Sequence, residues 1–268
     1  MDVLSPKILT HRLLATLFPT KLYQRSLTWG RIPKSFRNSP PDLWPGDASV
    51  GADLLRHVFH IDYKQLTLSD PIWPASSLNP FQQAHLHRFD WLRDLRALGS
   101  DPAKGKARQL VTDWLTTHGT WQKLPWRPDI LSERLSNWLM SFEFLTASTD
   151  PNFTQTLRTS IVAQARHLNR VATWGREDSS LFDVVKGQII CGICIPGNQD
   201  GLEAGFSLLA QEIKRQILPD GGHFQRSPSL QLYVLRRLIE IREILQAAQL
   251  EVPIDLQTAL DRMGPMLR

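Results

Sequence analysis

A chain of 268 residues with 42% hydrophobic and 21% charged side chains has ample material for a buried core, which excludes a disordered segment or a disulfide-stapled peptide. Lys and Arg number 31 against 26 Asp and Glu, a net charge of +5, which favours acidic sugar polymers, nucleic acid or phospholipid surfaces as partners without telling them apart. No apolar run reaches the roughly 18 residues a membrane span requires, so none is expected.

From the N-terminus, residues 1–25 are basic and partly apolar, but the stretch Leu13 to Phe18 is too short for the hydrophobic region of a secretory signal. The chain is therefore read as cytoplasmic, with the periplasm as the alternative. Between about residues 40 and 80 Pro, Asp, Ser and Trp are frequent, and Val58-Phe59-His60-Ile61 is the one β-like stretch. Residues 1–81 are read as an irregular segment with short helices packed on the remainder.

Helical spacing then takes over and continues to the end, so the expected fold class is all-α. Leu86, Phe89, Leu92 and Leu95 predict a first long helix stopping near Gly99. Ser100-Asp101-Pro102 supplies an N-cap followed by an early proline, and Leu110, Trp114 and Leu115 form the next stripe, up to Gly119. A helix over 129–147 carries Leu131, Leu135, Trp138, Leu139 and Phe142, and Asp150-Pro151 opens another with Ile161, Ala165 and Leu168. Further helices are expected near 181–195, 202–217, 228–249 and 254–264. Long helices joined by short turns pack antiparallel, and a series of such hairpins can close into an (α/α) toroid, although periodicity alone does not require closure.

Cys191 and Cys194 lie in an apolar helical run and read as small core residues rather than a metal or redox pair. His85 and His87, two apart on a helix, point to opposite sides, and no third ligand is near in sequence; neither metal nor cofactor is expected. The nine tryptophans suit sugar faces as well as cores.

Three segments carry a family resemblance. His85-Leu86-His87-Arg88-Phe89-Asp90-Trp91-Leu92 looks like the helix that opens the toroid of heparinase II/III-like proteins. Trp126-Arg127-Pro128, followed by Ser132-Glu133-Arg134 and Asn137-Trp138, is similar to that family's Trp-x-Pro, Ser-x-Arg and Asn-Trp pattern. Gln216 to Pro228, with Asp220-Gly221-Gly222 at its centre, resembles the family's Asp-Gly-Gly loop. The resemblance implies an incomplete (α/α) toroid over 82–268 and a polysaccharide lyase, a carbon–oxygen lyase acting by β-elimination at uronic acids of glycosaminoglycan-like polymers. The family's C-terminal β-sandwich is not in this chain: either it is encoded downstream or the helical part works alone.

The substrate-binding candidates are Trp126, Arg127, Arg134, Asn137, Trp138, Asp220, Gln225, Arg226 and Gln231. A guanidinium grips carboxylate or sulfate with a bidentate fork, and an indole offers a stacking face. For Arg134 the alternative is an ion pair with a neighbouring helix, and for the Asp220 loop a plain inter-helix turn. The resemblance also exposes departures. Where family lyases carry a Tyr-His pair this chain has Leu230-Gln231, and an expected Asn near Ser180-Leu181-Phe182 is missing. That leaves His223, with a suitable intrinsic pKa, and Tyr233, one turn beyond the lost pair, as catalytic candidates. Two other function classes stand beside the lyase reading: a non-catalytic carbohydrate-binding or envelope-polysaccharide assembly module, and, on charge alone, a nucleic-acid-binding helical protein.

Overall fold

The computed structural model describes residues 15–37, 39–173 and 178–267. The chain divides into two compact units, one formed by Met1–Ile32 and Trp44–His167, the other by Pro33–Leu43 and Leu168–Arg268. The division falls inside one long helix.

In the first unit α1 (Lys21–Thr28) starts at Thr20, whose hydroxyl accepts the Tyr23 N–H, and α2 (Ala48–Leu55) starts at Asp47, whose carboxylate accepts Ser49 and Val50 N–H groups. The β-like stretch is a strand, β1 (Val58–Ile61), and it pairs antiparallel with β2 (Lys64–Thr67) in the register Ile61↔Lys64. Asp62 and Tyr63 make the two-residue turn with φ of 54° and 58°, the signs a type I′ hairpin needs. The sequence does not announce β2, because Lys64-Gln65-Leu66-Thr67 carries one apolar residue and lies mostly in solvent.

The helix predicted from Leu86 to Leu95 is two helices. In α3 (Pro80–Arg88) an Asn79/Gln82 capping box and Pro80 set the start, and Phe89 ends it with a left-handed φ of 62°; α4 (Leu92–Leu98) follows and stops at Gly99, φ 66°. The next helix, α5 (Asp101–His118), begins at the Ser100 cap as expected. The helix predicted over 129–147 also divides, into α6 (Pro128–Met140) and α7 (Phe142–Thr146), and α8 (Pro151–Val171) completes this part. Trp114, Leu135 and Trp138 are fully buried here.

The second unit contains α9 (Leu181–Cys194), α10 (Gln199–Gln216), α11 (Pro228–Ala247) and α12 (Ile254–Met263), each within a few residues of its predicted span. Every residue of α9 is buried, including Ile190, and Cys191 and Cys194 are unpaired core residues. Burial pushes the Cys194 thiol up to about 11, which removes it from thiolate chemistry near neutrality. Helices α9 and α10 touch so closely at Gly192 that a Cβ there would stand 2.8 Å from the Leu202 Cα, so only glycine fits. Among the described residues no helix is long and apolar enough to cross a membrane.

Candidate functional site

The first two motif segments meet inside the first unit. Breaking the helix at Phe89 leaves carbonyls at the end of α3 without their usual acceptor role, and buried carbonyls must find donors. Arg134 supplies one: its Nη1 donates to His87 O (3.1 Å) and to Pro125 O (2.8 Å), while Nε donates to Gln164 Oε1 (2.8 Å). Asn137 supplies the next, its Nδ2 donating to Arg88 O (2.9 Å) and to Asp90 Oδ1 (2.8 Å). The three-residue spacing does place Arg134 and Asn137 side by side, and both point into the break in the preceding helix pair.

Aromatic rings enclose this arrangement. The Arg134 guanidinium sits 4.2 Å over the Trp114 ring and 5.8 Å from that of Trp138, with no part of its side chain in solvent. Burial works against its charge, and three acceptors with a π face sustain it. His87 stacks on Trp73, and its Nδ1 accepts the Trp114 indole N–H at 3.0 Å. Burial, reinforced by Arg134 and His118, holds the His87 pKa down to about 2, so it is neutral throughout the physiological range. Trp126, 2% exposed, donates its indole N–H to His118 O. Arg127 is the partly exposed member of this segment; Nε and Nη2 grip Asp129 at 2.7 and 2.8 Å, a bidentate pair at the start of α6.

The third segment belongs to the second unit and has an inner and an outer side. Gly221, with φ 84°, passes so near Arg262 O that a Cβ would stand 2.1 Å from it, and Ile217 and His223 form an isolated bridge that closes the loop. Gln231 clamps it from within: Oε1 accepts the His223 N–H at 2.6 Å and Nε2 donates to Gly221 O at 2.9 Å. The His223 ring is 1% exposed. Its Nδ1 accepts the Gln225 N–H at 3.3 Å, which assigns the ring proton to Nε2, facing Ser179 Oγ (3.0 Å) and Gln216 Oε1 (3.1 Å). Burial, then nearby Arg215, lowers its pKa.

On the outer side Phe224, Gln225 and Arg226 are exposed. Arg226 has a left-handed φ of 52° and pairs with Asp220 at 2.6 Å, while the Gly222 N–H and then Arg226 lower the Asp220 pKa. One turn into α11, Tyr233 donates its hydroxyl to Asp183 Oδ2 at 2.6 Å. The other Asp183 oxygen takes Arg237 Nε at 2.6 Å, Arg237 Nη1 reaches Glu240 at 2.7 Å, and Lys186 closes the buried chain at 3.0 Å.

These segments coincide with a known family. Residues 50–266 match the family described as heparinase II/III N-terminus. The chain belongs to that family. Among solved structures, heparinase III superposes over 100% of this chain and 46% of its own, with TM-score 0.69 and 15% identity. The heparan sulfate lyase HepC from Pedobacter heparinus covers 100% of this chain and 47% of its own, with TM-score 0.64 and 18% identity. The expected all-α class is thus that of the heparinase helical toroid domains. A curated relative, FtsZ-localized protein C of Caulobacter vibrioides, is 29% identical over 239 residues, which are 88% of this chain and 41% of the relative. The heparinase II/III-like chain therefore spans about half the length of the proteins it matches or less.

Two members of these polar networks have no local sequence signal. Gln164 lies on α8, 30 residues from the Arg134 it binds, and Asp183 likewise gains its role only through Tyr233 and Arg237, distant in sequence. Phe224, beside Gln225 and Arg226, was visible as an aromatic in the loop but carries no motif.

Proposed function

We propose that this chain is an acidic-polysaccharide-recognising module of heparinase II/III type that does not turn its ligand over when alone. The observation that carries the reading is the work done by Gln231. β-Elimination needs the uronate carboxylate neutralised, the C5 proton removed and the glycosidic oxygen protonated. At the position where the resemblance calls for a proton-exchanging side chain, an amide stands, and both its polar atoms are spent holding Gly221 and His223. His223 has each ring nitrogen committed internally, and the Tyr233 hydroxyl is directed at Asp183. Recognition groups remain on the outer loop face: a ring at Phe224, an amide at Gln225 and a guanidinium at Arg226, suited to stacking and to gripping carboxylate or sulfate. In this proposal Arg134, Asn137, Trp126 and Trp138 are positioning residues, and Arg127, partly exposed, is held by its pair with Asp129.

The test is incubation with heparan sulfate, hyaluronan, chondroitin and alginate while following the ultraviolet absorbance of the unsaturated uronate, with calorimetry at two salt concentrations. Binding to at least one polymer without absorbance gain is the expected outcome. Clear turnover would return His223 and Tyr233 to catalysis, and steep salt-dependent binding to duplex DNA with no glycan binding would favour the nucleic-acid reading. A second reading draws on the name of the relative FtsZ-localized protein C: a non-catalytic module of a division-site or envelope-polysaccharide assembly. Co-sedimentation with FtsZ polymers distinguishes it.

A further inference from the structure

The charge of this chain is unevenly placed. From residue 3 to residue 41 there are seven Lys and Arg and no Asp or Glu, so the net +5 of the whole chain originates there and the remainder is net negative. Within that stretch α1 is held to the first unit by one side. The Tyr23 hydroxyl bonds His167 Nδ1 at 2.6 Å, and Leu27 packs with Trp126 and Ala163. The Arg166 guanidinium fixes the exit by donating to Leu27 O (2.9 Å), Trp29 O (2.8 Å) and Arg31 O (3.0 Å).

The opposite side is unlike an ordinary solvated helix face. At about 100° per residue Lys21, Leu22, Arg25 and Trp29 fall on one arc, turned away from Tyr23 and Leu27. Leu22 is 79% exposed and Trp29 83%, with Leu17 at 50% just before the helix; Lys21, Arg25 and Arg31 are exposed among them. Large apolar side chains interleaved with cations and without any acid constitute the composition of a surface that lies in a membrane interface, aliphatic groups in the acyl boundary and cations among the headgroups. An acidic polysaccharide could use Trp29 and the cations but gives Leu17 and Leu22 no hydrocarbon to enter.

We infer that the outer face of residues 17–31 docks the protein onto an anionic lipid bilayer, with Leu17, Leu22 and Trp29 entering the interface and Lys21, Arg25 and Arg31 meeting lipid phosphates. This goes beyond the polysaccharide reading and does not depend on it. The anchor is presented rigidly, because its inner side and its exit are already fixed to α8 by Tyr23, Leu27 and Arg166.

The experiment is sedimentation of the full chain with vesicles of phosphatidylethanolamine containing phosphatidylglycerol, against vesicles of phosphatidylcholine, with heparin binding measured in parallel. Preference for the anionic vesicles of at least about tenfold is expected. Leu22→Ser with Trp29→Ser should lower partitioning about tenfold, and Lys21→Glu, Arg25→Glu and Arg31→Glu together about a hundredfold, each with an unchanged helical circular dichroism spectrum because the altered side chains are exposed. Absence of partitioning, equal partitioning to phosphatidylcholine, or undiminished partitioning of the Leu22/Trp29 variant would overturn the inference. Loss of heparin binding in the variants, with wild type ignoring vesicles, would make the face a glycan surface instead.

Discussion

The Trp126–Trp138 segment and the Asp220–Arg226 loop bring similar side chains to similar motifs and use them differently. In the first, Arg134, Asn137, Trp126 and Trp138 are all inside, and the two polar ones satisfy carbonyls freed where α3 ends at Phe89. In the second, His223 and Gln231 form an internal clamp while Phe224, Gln225 and Arg226 face solvent. The difference teaches that a polar motif residue goes to whichever buried backbone group lacks a partner before any is left for a ligand. An interrupted helix has many such groups; a short bridged loop has few.

The sharpest way to break this comparison is Arg134→Met. It would leave His87 O, Pro125 O and Gln164 without their donor, at about 1–3 kcal/mol for each unsatisfied group, and also remove packing against Trp114, so a loss of at least about 3 kcal/mol is expected in urea unfolding. A change below about 1 kcal/mol would mean the guanidinium is not fastening the helix break.

Acid should act on the same interior. The His87 pKa is about 2 in the folded chain against 6.5 for the free side chain. Between those values the unfolded chain binds a proton that the folded chain does not, so the stability from neutral His87 is complete above about pH 6.5 and is lost as pH falls. The slope is about 1.4 kcal/mol per pH unit, or about 2 kcal/mol by pH 5. The variant His87→Gln should flatten this part of the stability profile; an unchanged profile would place the acid sensitivity elsewhere.

The loop should separate into its two sides. Gln231→Ala, which strands the His223 N–H and Gly221 O, should cost about 1–3 kcal/mol, whereas Arg226→Ala, breaking an exposed pair with Asp220, should cost less than about 1 kcal/mol. Affinity for acidic polysaccharide should respond in the opposite sense, falling several-fold in Arg226→Ala. Equal stability losses would erase the distinction between clamp and outer edge.

Where Ser100 and Pro102 or Pro228 punctuate an apolar stripe, the helix start could be read to within a residue or two, because caps and early prolines act on near neighbours. The breaks at Phe89 and Ser141 could not. Phe89 lies inside a continuous apolar stripe and adopts φ 62° where Arg134 and Asn137, more than 40 residues later, take up the carbonyls beside it. The unit boundary within α8 is equally silent, since helix formation is local while compactness is counted over the whole chain.

The sequence by itself determined the all-α class, most helix starts, the buried character of Cys191 and Cys194, and the motif residues of a heparinase II/III-type domain. These depend on periodicity, caps and residue order, all short-range properties. Only the tertiary structure decided which motif residues are interior supports and which face solvent: whether Gln231 is a ligand group or a clamp depends on which distant backbone atoms folding brings within hydrogen-bonding reach.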